Sequence, residues 1–306
     1  MIETENVDKL QNIDTAQEKP LRMPQWLKRP VAFTGDKEAV ERRLLQNGLH
    51  TVCTEAKCPN RCECFSRGTA TFLVMGDTCT RNCGFCNIHH GTPAPLDTGE
   101  PERLCDMVKI TGIKHVVITS VTRDDLPDGG AEHFKRTVEL LKRTLPECTV
   151  EILVPDFNGN KQALETVLKS RPDVFNHNIE TVQRLYNSVR PKASYGRSLD
   201  ILACASRFGN GIRVKSGIMA GLGETFEEML KVLSDLRKAG CEILTIGQYL
   251  RPSRVNIPVM EYVPPEIFRR YEEAGLEMGF SFIAAGPYVR SSYKALEAFE
   301  HVNIKQ

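Results

Sequence analysis

The sequence lacks both an imbalance of charge and a long apolar run. Its 40 lysine and arginine residues face 39 aspartate and glutamate residues, so no global field favours nucleic acid or an anionic membrane surface. No apolar stretch approaches the roughly 18 residues of a membrane-spanning helix. The opening residues, MIETENVDKLQNID, have neither a secretory nor a transit pattern. We therefore expect a cytoplasmic protein that binds neither nucleic acid nor membrane.

Cysteine is plentiful and unevenly distributed. Seven of the eleven cysteines lie between Cys53 and Cys86. In a reducing compartment, clustered thiols favour metal binding or chemistry over disulfides. This short stretch therefore predicts metal centres.

Six short β-rich runs alternate with helical patterns from residue 70 onward. The runs are ATFLVM, KHVVITS, VEILVP, VFNHNIE, GIRVKSGIMAG and EILTIGQ. Such alternation predicts an α/β fold with a parallel sheet, either an open doubly wound sheet or a barrel. In both arrangements the active site lies at the carboxyl ends of the strands.

Three cysteines, Cys79, Cys83 and Cys86, follow the first of these strands with the spacing C-x3-C-x2-C. A [4Fe–4S] cluster needs four ligands, so three thiolates leave one iron open. An open metal position usually marks a working site rather than a structural one. Zinc is the alternative that the spacing leaves, because His89 and His90 follow closely.

The run CTRNCGFC after the first strand resembles the signature of the radical S-adenosylmethionine enzymes. The resemblance implies that the open iron binds the methionine moiety and that an electron releases a 5′-deoxyadenosyl radical. It also implies that Phe85 lies near the adenine, beside a glycine-rich loop containing Gly221. Asn178 and Glu180 end the fourth strand, where they could reach the ribose or the methionine amino group. Plainer alternatives are a core phenylalanine, an ordinary turn at Gly221 and a helix cap at Glu180.

The earlier cysteines, Cys53, Cys58 and Cys64, have the spacing C-x4-C-x5-C, which matches no general ferredoxin or zinc pattern. They resemble the motif that distinguishes the lipoyl synthases, although Phe65 stands where that family usually has tryptophan. Cys62 makes two shorter spacings possible. Cys64 alone restores the family spacing, so we expect it to be the third ligand and Cys62 to be a spare thiol.

The resemblance to lipoyl synthases extends over most of the chain. The matching segments are MPQWLKRP, CTRNCGFCNIHHGTPAPLD, RDDLPDGGAEHF, VRPKASYGRSL, KSGIMAGLGET, TIGQYLRPS and GPYVRSSYKA. It implies a partial (β/α)6 TIM-type barrel over residues 70–263. An N-terminal extension (1–69) would carry the first cysteines, and a C-terminal extension (264–306) an Arg-Ser-Ser-Tyr motif. Both extensions are expected to cover the barrel mouth.

The Arg-Ser-Ser-Tyr motif comprises Arg290, Ser291, Ser292 and Tyr293. By resemblance, a serine hydroxyl of this motif completes the ligand set of the first cysteine group. We expect Ser292 in this role, with Ser291 as its rival. The alternative is that both serines cap the helix suggested by SSYKALEAFEHV.

The resemblance implies a sulfurtransferase with two [4Fe–4S] clusters and S-adenosylmethionine as cofactors. Such an enzyme inserts sulfur at C6 and C8 of an octanoyl group carried on a lysine, and the sulfur comes from the auxiliary cluster. The implied carriers are the E2 subunits of 2-oxoacid dehydrogenases and the glycine cleavage H protein. The other implied partners are a ferredoxin or flavodoxin donor and an iron–sulfur carrier. No catalytic residue beyond the cluster ligands is predicted.

Two alternatives keep part of this pattern. A biotin synthase-like enzyme would hold its sulfur-giving cluster on barrel strands, whereas here the extra cysteines precede the first strand. A two-cluster electron carrier would cleave no S-adenosylmethionine and would leave the βα scaffold without a purpose. Arg123, Asp124 and Asp125 end the second strand, and the pattern leaves open whether they serve the site or solvate a loop.

Overall fold

The computed structural model describes residues 21–28, 47–55, 58, 60 and 71–304. Its strands are β1 (His50–Thr51), β2 (Thr71–Val74), β3 (Thr78–Cys79), β4 (His89–His90), β5 (His115–Ser120), β6 (Thr149–Leu153), β7 (Val174–Asn176), β8 (Arg213–Ala220), β9 (Ile243–Gln248) and β10 (Phe282–Gly286). One eight-stranded sheet has the order β1-β2-β5-β6-β7-β8-β9-β10, and β3 pairs with β4 apart from it. Within the large sheet β1 alone is antiparallel to its neighbour.

Helices connect the parallel strands and cover the outer face of the sheet. They are α1 (Val52–Glu55), α2 (Glu100–Thr111), α3 (Ala131–Thr144), α4 (Lys161–Lys169), α5 (Tyr186–Val189), α6 (Tyr195–Phe208), α7 (Phe226–Lys238), α8 (Pro265–Glu277) and α9 (Ala295–Ile304). No helix in the described part of the chain is long and apolar enough to cross a bilayer.

Local sequence accounts for the helices and strands. In α3, Phe134, Val138 and Leu141 recur at helical spacing and are fully buried, which gives the helix one apolar face. A capping box starts α7: Glu228 N–H donates to Thr225 Oγ1 at 3.2 Å, and Thr225 N–H donates to Glu228 Oε2 at 2.9 Å. Strands such as β9 are buried along their whole length, as expected where helices cover a parallel sheet.

The fold class predicted from the sequence is confirmed, and all six predicted strands are present, as β2 and β5 to β9. A seventh parallel strand, β10, extends the sheet beside β9. It comes from SFIAAG, where small residues of low β propensity weaken the strand pattern. Residues of the predicted C-terminal extension therefore also belong to the barrel sheet.

The last helix, α9, lies at the amino-terminal end of the barrel. Ala298 and Val302 pack with Ile243 and Phe282, the first residues of β9 and β10. Arg213, the first residue of β8, donates to a side chain of the same helix at 2.9 Å. For this helix the structure corrects the expectation of a cover over the mouth. Its apolar face matches the apolar strand starts, so it closes the opposite end.

Candidate active site

The loop of Cys79, Cys83 and Cys86 begins immediately after β2, as the sequence predicted. Met75 and Gly76 both have positive φ, 68° and 91°, and they turn the chain sharply at the strand end. The parallel pairing of Thr78–Cys79 with His89–His90 then closes the base of the loop. The three cysteines therefore lie at the carboxyl end of the barrel strands.

Three distant segments bind the backbone of this cysteine loop. The bonds run from Thr80 N–H to Thr122 O, Gly84 N–H to Val189 O, Ile257 N–H to Gly84 O and Asn256 Nδ2 to Cys86 O, at 2.8–3.0 Å. A side chain at Gly84 would meet Ile257 at 2.8 Å and the Ser188 carbonyl at 3.2 Å. Glycine at this position lets the segments approach so closely.

Backbone amides point at two of the three sulfurs. Arg81 and Thr122 donate to Cys79 Sγ at 3.4 and 3.3 Å, and Ile88 donates to Cys86 Sγ at 3.4 Å. Hydrogen bonds of this kind orient cysteine ligands and tune the potentials of iron–sulfur clusters. The arrangement of thiols and amides fits a bound cluster.

Burial governs the protonation of these thiols. It raises the pKa of Cys86 to about 12 and also raises the pKa of Cys83, where the charge of Arg190 opposes the shift. As free thiols both stay protonated at neutral pH. Coordination to a metal deprotonates such thiols, so a bound cluster would hold both cysteines as thiolates in spite of their burial.

A buried arginine inside the cysteine loop anchors it to the neighbouring strands. Arg81 donates to both oxygens of Asp124 at 2.7 and 2.8 Å and to Asn158 at 2.8 Å, and it pairs with Asp156 at 2.7 Å. Asp156 is fully buried and also pairs with Arg197 at 3.0 Å. Burial acts to raise the pKa of Asp156, but the hydrogen bond and charge of Arg81 lower it to about 2.

The predicted residues at the end of the fourth parallel strand, Asn178 and Glu180, lie together. Asn178 Nδ2 donates to Glu180 Oε1 at 3.0 Å, and Asn178 Oδ1 is buried with no hydrogen-bond partner among the described residues. Glu180 has a φ of 66°, which is strained for a residue with a side chain and typical of functional sites. Since Val182 is the cap of the next helical turn, the alternative role of Glu180 as a helix cap is not observed. An orphan polar atom beside a strained carboxylate fits a small polar ligand.

Phe85 and the glycine-rich loop meet through Leu222. Phe85 packs against a small apolar cluster that contains Leu222, the neighbour of Gly221. Gly221 has a φ of 96°, and a side chain there would collide with Gln248. Its N–H donates to Glu224 at 2.5 Å. The tight turn at this position therefore accounts for the glycine without a bound cofactor. The predicted contact of Gly221 with a cofactor stays a prediction.

The first cysteine group is placed beside the barrel by β1, which pairs antiparallel with β2. Cys53 is buried in α1, and Cys58 N–H donates to Cys53 O at 3.1 Å. Asn87, the residue after Cys86, donates to Glu55 O at 2.8 Å. The two cysteine groups therefore approach each other at the same end of the barrel. The predicted ligand Cys64 and its rival Cys62 lie outside the described residues.

The Arg-Ser-Ser-Tyr segment also meets the first cysteine group. Asn60 Nδ2 donates to Tyr288 O at 2.6 Å, across 228 positions of sequence. Burial lowers the pKa of Arg290, and neighbouring Cys58 opposes that shift. Thr71 Oγ1 donates to Ser292 Oγ at 2.7 Å. The segment after Cys58 and the segment 288–292 therefore lie close to the start of β2.

Neither serine of the motif caps the last helix. Helix α9 begins at Ala295, and the Ser292 hydroxyl is bonded to Thr71 instead. Lys294, with a φ of 55°, turns the chain between the motif and the helix. The capping alternative is therefore not observed, and the expected choice of Ser292 over Ser291 stays a prediction.

The zinc alternative finds no matching geometry in the part of the chain that the structure describes. There, no three histidine, cysteine, aspartate or glutamate side chains converge closely enough to hold a single metal ion. His89 and His90 are exposed, and their rings stack on each other at 6.2 Å.

Known proteins share both the fold and the sequence. Residues 73–236 match the radical SAM superfamily. The structure of methylornithine synthase is similar, with a TM-score of 0.51 and 15% identity over 82% of this chain and 78% of that chain. The fold and the cysteine loop thus define a radical S-adenosylmethionine enzyme.

Curated relatives narrow the class further. The lipoyl synthase of Caldanaerobacter subterraneus is 55% identical over 90% of this chain and 96% of its own length. The lipoyl synthase of Alkaliphilus metalliredigens is 50% identical over 91% of this chain and 96% of its own length. The chain belongs to the lipoyl synthase family. Membership implies S-adenosylmethionine and a [4Fe–4S] cluster as cofactors, an octanoylated carrier as substrate and a reductant.

Sequence reasoning missed the Arg81 network. The available signal was a single charged residue, Arg81, between two predicted ligands in a loop after a buried strand. Of the strand-end residues left open, Asp124 is part of this network. Arg123 is buried and donates to Asp125 at 2.8 Å and to the Met75 carbonyl at 3.3 Å.

Proposed function

We propose that this enzyme inserts two sulfur atoms, at C6 and C8, into an octanoyl chain attached to a lysine of a carrier domain. Cys79, Cys83 and Cys86 hold the [4Fe–4S] cluster that binds S-adenosylmethionine. Asn178 and Glu180 contact that cofactor on the strand side, and Phe85 and Gly221 on the adenine side.

A second [4Fe–4S] cluster, the sulfur donor, has Cys53, Cys58, Cys64 and Ser292 as ligands. The observation that carries this assignment is the hydrogen bond from Asn60 to Tyr288, which joins a residue close to Cys58 to a residue just before the serine motif. The hydrogen bond that Thr71 donates to Ser292 Oγ favours a negatively charged oxygen, which is the form that binds iron.

When bound, the cluster and S-adenosylmethionine supply a radical able to remove hydrogen from C–H bonds that no side-chain base could deprotonate. The protein's own contribution is to bury the two cluster sites, to orient their ligands and to keep the sites separate. Arg81 fixes the loop of Cys79, Cys83 and Cys86 in position. Segments near the two chain ends enclose the sulfur-giving site. Ser292 would offer a hard oxygen, a poorer ligand for iron than thiolate, so it would hold its iron less tightly than the three cysteines hold theirs.

The proposed partners follow from this chemistry. The carriers are E2 subunits and the glycine cleavage H protein, the donor is a ferredoxin or flavodoxin, and an iron–sulfur carrier rebuilds the second cluster. The sulfur insertion takes place in the cytoplasm. Residues 1–69 serve the sulfur-giving site together with the Arg-Ser-Ser-Tyr motif of the C-terminal extension 264–306, and residues 70–263 serve the radical-generating site.

The test uses reconstituted protein, dithionite, S-adenosylmethionine and an octanoyl-lysine peptide. Deoxyadenosine and lipoyl-peptide should both form, with about eight irons per chain for two [4Fe–4S] clusters. Cys64→Ala should lower the iron to about four and abolish lipoyl-peptide, whereas Cys62→Ala, its matched control, should retain both. Zinc in place of iron, or no deoxyadenosine from the intact protein, would overturn the proposal.

A further inference from the structure

We infer that the tip of the loop 250–260, Arg254 and Val255, docks an acidic protein that delivers the electron to the radical-generating site. This rests on the proposed function, since the superfamily's chemistry requires a reductant. The surface comprises this tip together with Lys192, on the other side of the cysteine loop.

The base of the loop 250–260 is bonded directly to the cysteine loop. Asn256 Nδ2 donates to Cys86 O at 2.8 Å, and Ile257 N–H donates to Gly84 O at 3.0 Å. Arg254 and Val255 immediately precede these two anchors. A protein bound at the tip therefore lies next to the segment that holds Cys83 and Cys86.

The loop is braced from within. Arg251 Nε donates to Asn256 O at 2.7 Å, and its Nη2 donates to Arg254 O at 2.5 Å. Ser253 Oγ donates to Asn256 Oδ1 at 2.7 Å. Because these bonds fix the backbone before a partner arrives, little ordering cost accompanies docking.

The tip presents an apolar residue beside one cation, and a second cation lies on the other side of the cysteine loop. Val255 is 94% exposed, and the exposed Arg254 side chain makes no hydrogen bond or ion pair to any described residue. Lys192 is also exposed, and it donates to the carbonyl of Thr80 in the cysteine loop at 3.0 Å. An exposed apolar residue flanked by free charge is typical of the centre and rim of a transient interface.

Two segments beside the cysteine loop carry charge of one sign. Segments 186–194 and 250–260 contain no aspartate or glutamate, and three of their four lysine and arginine residues are exposed, namely Lys192, Arg251 and Arg254. Asp124, beside the same loop, already pairs with Arg81. Such a surface raises the association rate of an acidic partner through electrostatic steering. An electron donor is the occupant that fits, because both anchors of the loop end on the Cys83–Cys86 turn, whose cysteines would hold the cluster that accepts the electron.

The experiment compares two sources of electrons for the reconstituted enzyme with an octanoyl-lysine peptide. One is dithionite, which needs no docking surface, and the other is an acidic flavodoxin with its reductase. Arg254→Glu should lower flavodoxin-driven deoxyadenosine formation about tenfold at low salt, with a smaller loss at high salt. Dithionite-driven rates should stay within about twofold of wild type. Titration of flavodoxin into each protein should reveal the same weakening of binding.

Arg143→Glu is the matched control, because it makes the same charge change on the exposed end of α3. Val255→Asp should act like Arg254→Glu. Equal flavodoxin-driven rates for Arg254→Glu and Arg143→Glu would overturn the inference, as would an equal loss with dithionite. A loss seen only when a whole carrier domain replaces the peptide, with dithionite present, would assign the surface to the carrier instead. If intact enzyme makes no deoxyadenosine with dithionite, the proposed function itself fails.

Discussion

The two cysteine groups lie at the same end of the barrel but are held in different ways. The loop of Cys79 to Cys86 follows a buried strand, and segments at the ends of several other strands bind its backbone. The group of Cys53 and Cys58 lies beside the barrel through β1 and is also joined to the C-terminal segment, by bonds such as that from Asn60 to Tyr288. The proposed radical-generating site is thus part of the barrel, whereas the proposed sulfur-giving site joins the segment of Cys53 and Cys58 to a C-terminal segment.

This difference suits the two proposed chemistries. A site that generates a radical repeatedly needs fixed geometry, which packed strand ends provide. A site whose cluster gives up sulfur must open and be refilled. Contacts between segments near the chain ends are among those that open at low cost.

The largest predicted effect breaks the barrel-held site. Arg81→Met would leave the buried carboxylate of Asp156 without its closest partner, at a cost of about 3–5 kcal/mol in unfolding free energy. Urea unfolding of the cluster-free protein measures this cost. Iron should fall to about four per chain, because only the second site is lost. Arg81→Lys, which keeps the charge without the planar fork, should be milder. Unchanged iron in Arg81→Met would contradict the anchoring role.

A smaller effect depends on pH and concerns the same barrel. Burial, together with the charge of Arg190, lowers the pKa of His177 to about 4. Its imidazole bonds to Val154 O and Ser198 Oγ inside the protein. The unfolded chain binds a proton near pH 6.5, so stability is lost as pH falls through the window from about 6.5 to 4, by about 3 kcal/mol in total.

Unfolding of the cluster-free protein at several pH values measures this loss, and His177→Gln should flatten the profile. A profile in the intact chain as flat as that of His177→Gln would argue against a neutral buried imidazole. The bonds from Asn60 to Tyr288 and from Thr71 to Ser292 contain no group that titrates in this window, so the tail contacts should not respond.

The smallest stability effect separates ligation from hydrogen bonding at the first site. Ser292→Ala and Thr71→Val each remove the same hydrogen bond and should each cost about 1 kcal/mol. Only Ser292→Ala removes the proposed ligand, so lipoyl-peptide should fall much further in that variant, with deoxyadenosine retained. Equal losses of product in the two variants would mean that Ser292 acts through its hydrogen bond alone. Ser291→Ala tests the rival serine in the same assay.

The sequence predicted the barrel-held site better than the assembled one. The β-rich runs and the helical patterns are local, so the strands and the position of Cys79, Cys83 and Cys86 at a strand end could be predicted. The contacts of Arg81 with Asp156 join residues 75 positions apart, and no local pattern encodes such a pairing. The serine motif was predicted to reach the first cysteines only through family resemblance.

The placement of the last helix was not predictable from its own pattern. The run ALEAFEHVNI shows an apolar face, but the pattern does not say which surface that face covers. Its partners, Ile243 and Phe282, are the first residues of two strands. From the sequence alone they cannot be told from other apolar residues of the core. Only the assembled barrel shows that its amino-terminal end is apolar and needs a cover.

The central claim is that the two cysteine groups have separate roles, and it is tested most directly by measuring deoxyadenosine and lipoyl-peptide together in Cys58→Ala and Cys83→Ala. Cys58→Ala should form deoxyadenosine without lipoyl-peptide, and Cys83→Ala should form neither. Lipoyl-peptide from Cys58→Ala at the wild-type level, or the loss of deoxyadenosine in both variants alike, would contradict the account.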